Sequence, residues 1–200
     1  MQRSPTPTSI RHSGFVALVL DPIIDGFHLT RVLMDGGSGL NLLYQDTVQK
    51  MGIDPSRIKP TKTTFKGVIP GVEASCTGSV TLEVVFGSLD NFRSEELIFD
   101  IVPFRSGYHA LLGQTAFAKF NVVPHYAYLK LKMPGPRGVI TVNGNTKRSL
   151  RTEEHTVALA VEVQSSLSRQ FSNPGAKRPD NVKHARSNLQ QNRLARSEQA

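Results

Sequence analysis

The chain has one cysteine, Cys76, in 200 residues, and no tryptophan. A lone thiol makes neither an internal disulfide nor a cysteine-rich zinc site, which points to a reducing compartment. No apolar run approaches the roughly 20 residues that a membrane-spanning helix needs. Residues 1–8 hold no stretch of the signal-peptide kind, so a cytoplasmic protein without membrane contact is expected. The six histidines are scattered, with no His-x-x-x-His pair, and no metal site is expected. The glycines at 36, 37 and 39 are not a phosphate cradle, since Leu42 follows where a dinucleotide fingerprint needs glycine and no Gly-Lys-Ser/Thr is there. The hydrolase elbow fails in the same stretch, because Leu40 stands in place of its last glycine. An apolar share of 38% allows one modest core with tails.

Positive charge is abundant but uneven. The formal net charge is +8, and residues 164–200 carry seven Lys/Arg against two acids, leaving +3 for the rest. That basic end reads as a solvated, disordered tail. The sharper reading is weak, sequence-blind contact with nucleic acid, although Phe171 is its one aromatic for base stacking.

The chain is organised around Arg31-Val32-Leu33-Met34-Asp35-Gly36-Gly37-Ser38-Gly39. An apolar run ends on an acid, and an acid in that position usually has a partner or a task. The glycines that follow permit a tight turn and close approach of another chain. Phe15 to Leu20 reads as a strand, Asp25-Gly26 as a hairpin turn, and Phe27 to Met34 as the returning strand that delivers Asp35. Leu40 to Met51 has helical spacing with Gly52 as C-cap, which places the acid between a strand and a helix.

Further on, two strands flank a turn near Pro70-Gly71, the second running from Ser75 to Phe86. Residues 87–94 read as a loop and Glu96 to Pro103 as another strand. Phe104 to Tyr108 turns the chain into the short run Ala110 to Gly113. Thr115 to Phe120 reads as a helix with Thr115 as N-cap. The stretch from Tyr128 to Met133 alternates, and Gly138 to Val142 pairs back after Pro134-Gly135-Pro136. A helix is a further option for 151–163. Cys76, His109, His125, Tyr126 and Tyr128 read as packing residues. The sum is mostly β, a small barrel or sandwich, in three parts: a flexible leader at 1–13, a folded domain at 14–145, and a basic, largely disordered tail at 146–200.

Val32-Leu33-Met34-Asp35-Gly36-Gly37-Ser38 with Leu42-Leu43-Tyr44, then Tyr108-His109-Ala110-Leu111-Leu112-Gly113-Gln114, then Tyr128-Leu129-Lys130-Leu131-Lys132-Met133-Pro134 resemble, in order, three segments of retropepsin-like aspartic proteases. The resemblance spans roughly residues 14–145. It is nearest to the protease region of plant gypsy-type retrotransposon polyproteins. It implies a small closed β-barrel of the acid-protease type with one or two short helices. The implied activity is peptide hydrolysis by two carboxylates that share one proton and activate a water. Only one apolar-Asp-x-Gly element is present, so the second acid would come from another copy of the chain.

By the same resemblance Asp35 is catalytic and Gly36, Gly37 and Ser38 form the active-site loop. The Gly37 N–H would point at the carboxylate, and Ser38 would turn its hydroxyl toward it. Phe65, Lys66 and Gly67 fall in the flap that closes on substrate. Leu111, Leu112 and Gly113 back the catalytic strand. The implied partners are a second copy and an extended peptide or polyprotein. No cofactor or metal is implied, and a virus-like particle is a possible setting. Gly36 departs from the family, whose active members usually carry Thr or Ser there with a hydroxyl that bonds across the dimer axis. Two such losses weaken a dimer by about 1–3 kcal/mol, roughly five- to a hundredfold. A catalytically silent domain that only self-associates or binds peptides is therefore the alternative.

Overall fold

The computed structural model describes residues 16–66 and 73–170; the leader expected at 1–13 and the end of the basic tail lie outside them. In chain order the elements are β1 (Val19–Leu20), β2 (Ile23–Ile24), β3 (Phe27–His28), β4 (Val32–Met34), β5 (Leu42–Tyr44), α1 (Gln45–Met51), β6 (Thr64–Lys66), β7 (Glu73–Ser75), β8 (Gly78–Ser88), β9 (Asn91–Val102), β10 (Ala110–Leu112), α2 (Gln114–Phe120), β11 (Val123–His125), β12 (Lys130–Gly135), β13 (Gly138–Asn143) and α3 (Thr146–Gln170). The chain is mostly β, as its many short Val-, Ile- and Thr-rich runs anticipate.

Eight strands form one sheet in the order β1-β4-β10-β5-β9-β8-β2-β3. The long hairpin of β8 and β9 is its largest unit. Along β8 burial alternates, with Val80, Leu82, Val84 and Phe86 inward. That is the period-two signature of a strand with one face on a core. β11, β12 and β13 make a separate antiparallel sheet, and its Leu131, Met133 and Ile140 join the same core.

The three central short strands behave differently. Val32 and Met34 of β4, Leu43 of β5, and Ala110 and Leu112 of β10 face the main core. Leu42, Tyr44 and Leu111 face a second apolar cluster with Val19, Cys76, Val102 and Tyr108. Strands covered on both faces read as unbroken apolar runs, which is why they look alike in the sequence. β10 lies parallel to β4 and antiparallel to β5, and so separates the two strands on either side of Asp35.

Several boundaries differ from the sequence reading. The 40–51 stretch is not one helix: Leu42–Tyr44 is β5, and only Gln45–Met51 is α-helical, closed by Gly52 at φ 62°. Asp35 therefore sits between two strands of one sheet. The apolar positions at 40, 43 and 44 suit a helix, but pairing to β10 and β9 takes residues 42–44, and tertiary pairing overrides local spacing. The hairpin at Asp25-Gly26 forms, with φ 50° and 80°, but its return breaks at residues 29–31 into β3 and β4. The 87–94 loop shrinks to a two-residue turn, since β8 and β9 pair out to Ser88 and Asn91. α2 begins at Gln114, with Gly113 in the N-cap position and no side-chain cap, so Thr115 is inside the helix. Tyr126–Tyr128 is a 3-10 turn ahead of β12.

A third helix, α3, spans the 151–163 stretch and starts earlier, inside the segment expected to be tail. Its first turns pack on the β body. Ser149 and Thr152 are buried, Arg148 pairs with Asp21 at 2.9 Å, and Glu153 accepts a hydrogen bond from the Ala17 N–H at 2.9 Å.

Candidate active site

Asp35 follows directly on β4, and its own N–H donates to Leu112 O at 2.9 Å. The parallel pairing of β10 with β4 thus continues one residue into the turn. The turn closes with Ser38 N–H on Asp35 O at 3.2 Å. Gly37 N–H donates to Asp35 Oδ1 at 2.9 Å, which fixes one carboxylate oxygen. Among the described residues the other oxygen accepts no hydrogen bond, and Asp35 is half-buried. An ionised carboxyl has about four acceptor sites, so this one keeps capacity for a water or a second acid.

The rest of the turn is held from outside. Gln114 donates through its N–H to Ser38 O at 2.8 Å and through Nε2 to Gly36 O at 3.0 Å. Ser38, expected to turn its hydroxyl to the carboxylate, instead donates it to Leu40 O at 2.9 Å and accepts from Leu40 N–H at 3.2 Å. A short Ser side chain satisfies its neighbouring backbone first, which is the usual local competition. Gly113 has no room for a side chain: a Cβ there would lie 2.4 Å from Leu40 O and 2.5 Å from Ser38 O. At Gly36 a Cβ would meet Phe117 and the Tyr126 hydroxyl oxygen, each at 3.3 Å.

Sequence reasoning missed Asn41, which is 4% exposed. Its Oδ1 accepts from Gly113 N–H at 2.9 Å and its Nδ2 donates to Ile98 O at 3.0 Å. One amide thereby ties the turn's exit to the end of β10 and to β9. The available signal was a polar residue inside Leu40-Asn41-Leu42-Leu43. In the sequence Gln114 reads only as part of a resembling segment, Tyr126 reads only as packing and Phe117 is not singled out at all, because only the fold brings them to the turn.

Two solved structures illustrate what the chain's folded shape is similar to. One is the crystal structure of the retroviral protease-like domain of Ddi1 from Leishmania major, with 11% identity, 64% of this chain and 93% of that chain covered, and a TM-score of 0.47. The other is the crystal structure of a retropepsin-like aspartic protease from Rickettsia conorii, with 16% identity, 62% and 80% covered, and a TM-score of 0.40. No protein-family model matches the sequence, and no curated protein does.

Leu111 and Leu112 pair with Leu33 and Met34 across the parallel β10–β4 ladder, next to the acid. β6 and β7 pair antiparallel, Phe65 opposite Ala74 and Lys66 opposite Glu73. Gly67 and the turn expected at Pro70-Gly71 lie outside the described residues. Cys76 N–H on Thr63 O at 3.0 Å joins the two arms at the base of this hairpin, and Thr77 N–H on Ile101 O at 2.9 Å ties that base to the main sheet.

The second apolar cluster adjoins the acid. Its two phenols, Tyr44 and Tyr108, are raised above the ordinary tyrosine range, Tyr108 to about 12. Burial is the main cause, and the Asp35 charge adds to it in both. Both phenols therefore stay protonated near neutral pH. Leu33 and Leu40 pack on this cluster but remain partly exposed. His109 is pushed down to about 4, first by burial and then by the Arg31 charge. It is a neutral imidazole whose Nε2 accepts from Arg31 Nη2 at 2.8 Å. Among the described residues no group of three His, Cys, Asp or Glu is placed to hold a metal, and no helix is long and apolar enough to cross a membrane.

Proposed function

We propose that the chain is an aspartic endopeptidase of the retropepsin kind, acting as a two-fold homodimer to which each copy contributes one Asp35. The observation that carries this reading is the state of Asp35: a half-buried acid with one oxygen held by Gly37 N–H, beside an apolar cluster that leaves Leu33 and Leu40 partly exposed. An isologous contact brings identical patches together, so such a surface at the acid suits a second copy.

In the pair, one carboxylate is ionised and takes a proton from water, while the protonated one donates to the scissile carbonyl. Two acids that close share a single proton because like charges at that distance repel. The β6–β7 hairpin serves as the flap, laying an extended peptide alongside backbone groups and excluding water. The substrate class is an extended, apolar stretch of polypeptide, with a retrotransposon gag-pol polyprotein as the natural candidate, processed in the cytoplasm or in a virus-like particle.

The deciding experiment is Asp35→Asn, scored on cleavage of an unstructured polyprotein substrate and on thermal unfolding. Cleavage falls by at least about a hundredfold while the melting temperature holds. Undiminished cleavage by the variant overturns the enzyme reading. One observation favours the second reading, a silent domain for self-association or peptide binding. Gly36 brings no hydroxyl, and Phe117 and Tyr126 already crowd the space its side chain would need. Dimerisation or peptide binding by the parent chain without any cleavage selects that reading.

A further inference from the structure

Away from Asp35, a cavity of about 430 Å³ opens between the residues before β4 and the first turns of α3, lined by Arg31, Asn145, Lys147, Arg148, Arg151 and His155 together with two threonines. No carboxylate among the described residues lines it. Arg148 is neutralised by Asp21 at 2.9 Å and also donates to Thr30 O at 3.3 Å. The other cations have no acid partner among the described residues. Arg31 donates to His109, which is neutral, and its Nε is buried without a partner. Lys147 and Arg151 form no ion pair or side-chain hydrogen bond among the described residues. They stand one helical turn apart, and like charges at that spacing destabilise a helix; His155 lies a turn further along. A half-buried guanidinium facing cations that have no acid among the described residues suits an anionic ligand.

We propose that this cavity binds a phosphate-bearing ligand, with Arg31 and Arg151 as the guanidinium forks and Lys147 as the mobile point charge. Guanidinium presents paired donors that match phosphate oxygens, and an ammonium adds charge without fixed geometry. The volume exceeds that of one phosphate, so two or more linked phosphates, or a phosphodiester with its sugar, fit the space. The site is independent of the protease reading.

The test uses the full chain at low salt. Inorganic tripolyphosphate is titrated by calorimetry against the parent, Arg31→Gln, the double variant Lys147→Gln/Arg151→Gln, and a control of equal charge loss, Lys177→Gln/Arg178→Gln. One saturable site is expected, weakened at least tenfold in both cavity variants and less than twofold in the control. The double variant keeps the test decisive should Arg31→Gln fail to fold. A short single-stranded RNA is then competed against bound tripolyphosphate. Competition that is lost in the cavity variants assigns the ligand to nucleic-acid backbone, and absence of competition assigns it to free phosphates. No saturable tripolyphosphate binding, or an equal loss in the control, overturns the proposal.

Discussion

At the scale of single residues, the candidate site is held by amides. Asn41 serves two buried backbone groups on different strands, and its removal leaves both Gly113 N–H and Ile98 C=O without a partner. Asn41→Ala should therefore cost about 2–4 kcal/mol, measured by urea unfolding, with the Gly113 amide losing its protection from hydrogen exchange. His109 makes a different prediction. Its folded pKa of about 4 lies below the ordinary 6.5, so between those values the unfolded chain binds the extra proton. Stability is then fully present above about pH 6.5 and falls as pH drops toward 4. The side chain is only half-buried and solvent screens its neighbours, so the loss amounts to about 1–2 kcal/mol. His109→Gln, which keeps an acceptor for Arg31, should flatten that limb of the stability profile. Asp35 and its glycines were legible in the sequence because a charged residue ending an apolar run stands out locally. Asn41 was not, since its two partners lie 57 and 72 residues away.

At the scale of elements, the readable parts were those whose signal is local. The Asp25-Gly26 hairpin, the αL cap at Gly52 and the β12–β13 pairing each follow from turn chemistry within a few residues. What stayed hidden was non-local: three-residue strands such as β5 and β10 have no period of their own and exist because they pair with each other and with β4 and β9. α3 belongs with these. Its helical pattern was visible at 151–163, but its docking was not, because that rests on a glycine far upstream. At Gly107 a Cβ would lie 2.4 Å from Thr156 Oγ1 and 2.7 Å from Thr152 O. Gly107→Ala must push the helix away or shift its own loop, at a cost of about 1–3 kcal/mol. Hydrogen exchange across residues 149–156 should rise in that variant while β8 and β9 stay protected. Equal protection throughout would show that the close approach is not what seats the helix.

At the scale of the molecule, the main core and the second apolar cluster have different standing. Both have partly exposed apolar residues at their margins, Ile58, Phe117, Val122 and Val142 on the first and Leu33 and Leu40 on the second, but only the second has its margin beside the acid with an unused oxygen. On the proposed reading a single copy presents half of a site. This has a consequence that one variant alone does not reveal. If the working unit takes one Asp35 from each of two chains, Asp35→Asn chains poison the parent chains they pair with. With random pairing, an equal mixture leaves about half of the parent chains in parent–parent dimers, and a threefold excess of variant leaves about a quarter. Cleavage per parent chain should fall in those proportions, once the mixture has been held long enough for subunits to exchange. A single-chain catalyst gives constant activity per parent chain at every ratio. Dilution supplies the matching control, because a dimeric catalyst loses specific activity below its dissociation constant, while a monomer that simply tolerates the variant does not. Constant activity in both measurements would leave Asp35 without a twin, and the partly exposed cluster would then need another occupant.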